Sequence, residues 1–281
     1  MFFLIFWYFD IIKLHSTMSK YRIQQFPDSR LATMDICEIG KQKHHVTGLI
    51  ELDVSESRKK IAEYNKVHQE QISFSAWLLA VIAQTLQKHD RASSYLIGKN
   101  KQIIFEDINI SILVEKEING SKVPIPLLLE KAQELSIEAI SKLIQDAKLK
   151  PLTDKDIVLH RKRQKSERLY YKLPGFLRRL FWRYLLNTPK LAFQKMGNVS
   201  FTSLGMMGDV KGWFIPISIH PVCFGVSSTV KQPVVYNDQI IIREILKMSI
   251  LMDHDVMDGA PMARFIAELS KNIERGLNLY G

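Results

Sequence analysis

The sequence predicts an α/β layered domain, and three observations carry that prediction. Stretches patterned as strands alternate along the chain with stretches patterned as helices. The 281 residues are 46% apolar and 24% charged, an ordinary composition for a chain with a sizeable core. No internal repeat or low-complexity tract interrupts the order.

Taken in order, His45 to Asp53 (HVTGLIELD) alternates apolar and polar residues as a half-buried strand does, and a polar helical stretch follows. Phe74 to Gln87 (FSAWLLAVIAQTLQ) is apolar almost throughout, which predicts a buried helix ending near His89. Tyr95 to Gly98 and Gln102 to Phe105 form a hairpin about Lys99-Asn100, and Ile108 to Val114 (INISILV) is a further strand. NGSKVPIP predicts a turn and a proline-broken edge, and Ser136 to Ala147 an amphipathic helix. Val199 to Thr202, Val222 to Ser227 and Ile240 to Met252 are the last strands.

The net charge of +10 is concentrated. Between Arg161 and Lys195 there are eleven Lys or Arg against one acid, Glu167, so this segment alone accounts for the excess and the rest is close to neutral. That excludes a uniformly basic nucleic-acid protein and leaves a local polyanion or lipid contact open. Cys37 and Cys223 match no metal-ligand spacing and no disulfide framework, which points to a reducing compartment, the cytoplasm. The leader MFFLIFWYFDIIKLHST (1–17) is too short to span a bilayer and lacks the charge and cleavage pattern of a secretory signal. It is expected to be an upstream extension, with a short anchor as the alternative.

The stretch MDHDVMDGAP (252–261) concentrates chemistry. As a calcium loop it fails, because Asp253, Asp255 and Asp258 are spaced D-x-D-x-x-D and Arg264 stands where a bidentate glutamate belongs. As a transition-metal site it offers His254 and Asp258 with no second histidine at helical spacing, and no metal is expected. As a helix start it succeeds: Asp258 suits an N-cap, Pro261 the first turn, and Met262, Ile266, Leu269 and Ile273 share one face. His254 has no such structural task, although a lone histidine at a strand end is more often incidental than catalytic.

DHDVMDGAPMARFIAEL resembles the His-x-x-x-Asp-Gly motif of the 2-oxoacid dehydrogenase acyltransferase catalytic domain, a family shared with chloramphenicol acetyltransferase. GNVSFTSLGMMG (197–208) is similar to the family's glycine-flanked hydroxyl strand. HHVTGLIELDV, INISILVEKEINGSKVPIPLLLEKAQELSIEAISKLI and HPVCFGVSS follow in family order. The resemblance covers about residues 27–148 and 197–277. It implies a two-layer α/β sandwich with a mixed sheet, homotrimeric, with its active site between subunits. The expected organisation is the leader 1–17, then one catalytic-like domain over 18–281, interrupted by a basic amphipathic insertion at 150–196.

The resemblance implies acyl transfer between a coenzyme A thioester and a second acceptor, a dihydrolipoyl thiol in the dehydrogenase complexes. Acyl-coenzyme A is then the substrate and a lipoyl domain in trans the partner. His254 matches the general base, Thr202 or Ser203 the hydroxyl that stabilises the oxyanion, and Asp258 the second motif position, with an architectural or hydrogen-bonding role. The family has a basic residue after the histidine and this chain has Asp255, whose charge would favour imidazolium if the side chains meet. Asp255 therefore motivates the alternative, a non-catalytic trimeric scaffold or binding subunit. TDKD (153–156) is like a lipoyl-lysine turn, but no all-β module surrounds it, so Lys155 is not taken as a lipoylation site and no covalent lipoyl group is expected.

Within the insertion, LPGFLRRLFWRYLLNTPKL (173–191) predicts a helix between a Pro-Gly turn and Asn187-Thr188-Pro189. Phe176, Leu177, Leu180, Phe181, Tyr184 and Leu185 cluster apart from Arg178, Arg179 and Arg183. The apolar side is expected either to pack on the domain or a neighbouring subunit, or to make a peripheral membrane contact.

Overall fold

The computed structural model describes residues 20–26, 29–118, 121–149, 165–205 and 210–279. The leader 1–17, Lys155 and the start of the insertion lie outside them. Eight helices of eight or more residues follow in chain order among the described residues. They are α1 (Ser29–Gly40), α2 (Ser55–Val67), α3 (Phe74–Lys88), α4 (Ile137–Leu149), α5 (Lys165–Lys172), α6 (Gly175–Leu186), α7 (Pro189–Met196) and α8 (Gly259–Glu274). The strands are β1 (His45–Asp53), β2 (Tyr95–Ile97), β3 (Lys101–Ile103), β4 (Ile110–Ile118), β5 (Ser121–Leu129), β6 (Val199–Ser203), β7 (Val222–Tyr236) and β8 (Gln239–Asp253).

Six strands form one mixed sheet in the order β1-β8-β7-β6-β4-β5, while β2 and β3 pair as a separate hairpin. β6 runs parallel to both β7 and β4, and the remaining pairs are antiparallel. The proline-broken edge is instead the continuous strand β5. Pro124 and Pro126 are tolerated because β5 is the sheet's last strand, where a missing N–H facing outward breaks no ladder bond. β7 is also much longer than its apolar core implies, since it continues to Tyr236 as an arm paired with β8.

Helices α2, α3, α4 and α8 pack on one face of the sheet. Alternate residues of the central strands (Val199 and Phe201; Val222, Phe224 and Val226; Leu246, Met248, Ile250 and Met252) enter this core. α3 lies in its middle, capped by Ser73, whose hydroxyl accepts the Ala76 N–H at 3.1 Å. Complete burial of Leu78, Leu79, Ile82 and Leu86 stabilises the fold by roughly 2 kcal/mol per side chain. In α8 the buried face is Met262, Phe265, Leu269 and Ile273, with Ile266 only partly buried against it.

The segment leading into β7 covers part of the opposite face, and α1 packs against that segment. The Ser249 hydroxyl donates to the Phe214 carbonyl at 2.6 Å, and the Trp213 indole N–H donates to the Ile50 carbonyl at 3.0 Å. α1 approaches the same segment so closely that a Cβ on Gly40 would lie 2.8 Å from the Ile217 side chain. Helices α6 and α7 dock beside this layer. Leu185 and Ala192 pack with Tyr95 of the β2–β3 hairpin, and Phe105 stacks on Phe193.

Candidate active site

β8 ends at Asp253, and the turn His254 to Val256 joins it to α8. Asp253 is 1% exposed and uses both carboxylate oxygens: Oδ1 accepts the Asp255 N–H at 3.2 Å, and Oδ2 pairs with Lys43 Nζ at 2.5 Å. The Asp253 N–H donates to the Pro221 carbonyl at 3.0 Å and the His254 N–H to the His44 carbonyl at 2.9 Å. Backbone and side-chain bonds thus fix the turn from β1 and from the start of β7, and its one histidine side chain is left exposed.

Lys43, His44 and His45 form the wall against which this turn is built. Asp255 Oδ1 is 2.9 Å from His44 Nδ1, so the acid that follows the candidate base is bound to a different imidazole. That hydrogen bond raises the His44 pKa above its ordinary value. His45 Nε2–H donates to the His220 carbonyl at 2.9 Å, and burial lowers the His45 pKa. His220 Nε2–H in turn donates to the Met196 carbonyl at 3.0 Å, and full burial pushes its pKa down to about 4, so this ring is neutral. Burial also pushes the Cys223 thiol up to about 11, which leaves it protonated and unsuited to nucleophilic chemistry.

Asp258 occupies the N-cap position of α8, but the expectation that its side chain caps the helix is not met. It makes no capping hydrogen bond, and its backbone carbonyl accepts the Met262 N–H at 3.2 Å instead. Its carboxylate is exposed beside the turn.

Thr202 and Ser203 end β6, beyond the short stretch where β4 pairs with it. Gly197 sets that strand's start: it ends α7 with φ +74, where a side chain would strike the Asn109 carbonyl. Strand alternation separates the two hydroxyl candidates. Val199 and Phe201 point into the helical core, so Ser203 shares their side, and Thr202 lies with Ser249 and Asp253 on the other. Thr202 is opposite Gly225 and Gly225 opposite Ser249, five residues before His254. Two strand spacings across and five residues along, the positions of His254 and Thr202 are thus roughly 20 Å apart in one chain.

A cleft of about 540 Å³ lies beside the turn, lined in part by Gln42, Lys43, Asp255, Arg183 and Asn187. α6 therefore forms one wall of a cleft that reaches the turn at Asp255. Among the described residues no group of three or more His, Cys, Asp or Glu is arranged to hold a metal ion.

The supports of His254 were not among the residues the sequence points to. In the sequence Asp253 stands out only as a calcium-ligand candidate, and Lys43, His44 and His45 lie about 210 positions from it. Their one signal is that strand 45–53 opens immediately after two basic or imidazole residues.

The family described as 2-oxoacid dehydrogenases acyltransferase (catalytic domain) matches residues 35–157 and 185–280. The dihydrolipoyllysine-residue acetyltransferase component of the pyruvate dehydrogenase complex of Corynebacterium glutamicum is 25% identical over 272 residues, covering 93% of this chain and 34% of that protein. Among solved structures, a probable dihydrolipoamide acetyltransferase from Listeria monocytogenes superposes with TM-score 0.64 at 21% identity, covering 93% of this chain and 99% of that one. The dihydrolipoamide acetyltransferase of Azotobacter vinelandii gives TM-score 0.64 at 17% identity, covering 92% and 95%. The chain spans between about a third and a half of the length of the curated relatives it matches over most of its own length. With the family match extending over most of its residues, the chain belongs to the 2-oxoacid dehydrogenase acyltransferase catalytic-domain family.

Proposed function

We propose that this protein transfers an acyl group between a coenzyme A thioester and a dihydrolipoyl thiol presented by a separate lipoyl domain, at a site made where two copies meet. The carrying observation is the exposed His254 on a turn clamped by Asp253, Lys43 and the His44 carbonyl. Its imidazole takes the proton of the attacking thiol, the thiolate sulfur bonds to the thioester carbonyl carbon, and the resulting oxyanion accepts a hydrogen bond from Thr202. Collapse expels the other thiolate, which recovers the proton from His254.

Two facts favour an intersubunit site. One thioester carbonyl cannot meet His254 and Thr202 of the same chain across roughly 20 Å. The β7–β8 arm also exposes Val235, Tyr236, Ile240 and Ile242 at 76%, 54%, 78% and 74%, an apolar tip suited to a neighbouring copy, and we assign the homotrimer of the family resemblance.

In the Azotobacter vinelandii enzyme a serine, a histidine and an asparagine four positions after that histidine have been investigated for their role in catalysis. His254 and Asp258 have that spacing. The scaffold alternative rested on Asp255 disturbing the base, and Asp255 is bound to His44. The test is thioester exchange between acyl-coenzyme A and dihydrolipoamide. The wild-type chain should exchange and His254→Ala should lose the activity while keeping its assembly. Equal rates in the two proteins would refute the assignment.

A further inference from the structure

α6 turns its apolar side outward. Phe176, Leu180, Phe181 and Tyr184 are 63%, 58%, 50% and 61% exposed, and Leu177 lies among them. At 100° per residue these five side chains occupy an arc of about 140°. The inner face is partly polar: Arg178 Nε donates to Asp35 of α1 at 2.6 Å, Tyr170 donates to the same carboxylate at 2.9 Å, and Trp182 Nε1 donates to the Tyr170 hydroxyl at 2.9 Å. Because the ion pair is nearly buried, at 12% and 4% exposure, it fixes the helix's rotation and keeps the aromatic stripe in solvent. This is the reverse of an ordinary surface helix, which buries its apolar arc.

The charge around the stripe indicates what covers it. From Arg168 to Met207 the sequence contains no Asp or Glu. Lys172, Arg179, Arg183 and Lys190 therefore flank the aromatic residues along the chain with no acid between them, a pattern complementary to an anionic surface, while Asp255 shares the cleft with Arg183. Bulky aromatic and leucine side chains flanked by cations fit the boundary between lipid headgroups and acyl chains. Twelve residues of helix reach about 18 Å, well short of a bilayer's core. Among the described residues no helix is long and apolar enough to cross a membrane.

We infer that α6 docks the protein peripherally onto an anionic lipid surface, inserting Phe176, Leu180, Phe181 and Tyr184 below the headgroups while the neighbouring cations meet lipid phosphates. The inference is independent of the acyl-transfer reading. Since α6 also walls the cleft that reaches Asp255, docking would bring that cleft to the membrane surface.

Sedimentation of the full chain with vesicles tests it. Vesicles containing phosphatidylglycerol should carry the protein down, pure phosphatidylcholine should carry much less, and added salt should release it. Phe176→Ser with Leu180→Ser should reduce binding about tenfold or more, with circular dichroism and hydrodynamic size unchanged. Lys172→Gln, Arg179→Gln and Lys190→Gln, which leave the apolar stripe intact, should each weaken binding to the anionic vesicles about fivefold. Absence of binding to anionic vesicles, or binding unchanged in either set of variants, would overturn the inference. So would a change in subunit number in the Phe176/Leu180 variant, which would make the stripe an interface between copies.

Discussion

Asp253 does two tasks at one position, closing the turn with one oxygen and holding Lys43 with the other. Asp253→Asn keeps the shape but removes the charge, so the turn loosens and the base is aimed less well. We expect kcat for thioester exchange to fall about tenfold or more with KM little changed, because small misplacements of a reacting group are costly. An unchanged kcat would show that the clamp is dispensable. Thr202 and Ser203 separate more sharply. Thr202→Ala should lower kcat by about 10²- to 10³-fold as an oxyanion donor is lost, while Ser203→Ala, whose side chain faces the helical layer, should stay close to wild type. Kinetics of the two single variants decide between them. At this scale His254 and the hydroxyl pair stand out in the sequence only through the resemblance of their motifs to the family pattern. The clamp does not, because Lys43 and Asp253 meet only through the pairing of β1 with β8.

Among the elements, those governed by local pattern were legible. α3 is apolar on all sides, β1 alternates, and α6 is bounded by Pro-Gly and Asn-Thr-Pro, and each lies where its sequence puts it. The elements that departed do so for tertiary reasons. β5 tolerates two prolines because it is an edge, and β7 extends because β8 pairs with it residue by residue out to the turn. The orientation of α6 was left open by its sequence, since an amphipathic pattern does not say which side faces in. Asp35, far away on α1, decides it. Replacing Arg178 by Met leaves the buried Asp35 carboxylate with the Tyr170 hydroxyl but no cation, which should cost about 3 kcal/mol of stability. It should also raise protease susceptibility between α5 and α7. Denaturant unfolding at the wild-type value would mean that the ion pair does not anchor the insertion.

For the molecule as a whole, the layer opposite the helices carries an acid sensitivity. His220 is neutral in the folded protein, with its pKa pushed down to about 4 by burial, whereas in the unfolded chain an imidazole takes a proton near 6.5. The unfolded state therefore binds more protons between these values. The stability His220 contributes is fully present above about pH 6.5 and is lost as pH falls toward 4. The loss should be about 3 kcal/mol over that window. In His220→Gln the pH dependence should be shallower by that amount, as followed by urea midpoints; a profile parallel to wild type would contradict the assignment.

At the same scale, the two-layer mixed sheet was legible through the order of family motifs, but the separation of His254 from Thr202 was not, because strand register is set by long-range pairing. That separation makes the shared site the central claim, and mixing two inactive chains tests it most directly. Co-assembled His254→Ala and Thr202→Ala subunits should regain thioester exchange at roughly a quarter of wild-type sites, since some interfaces then join an intact His254 to an intact Thr202 from another copy. Mixed assemblies no more active than the two variants assayed separately would contradict it.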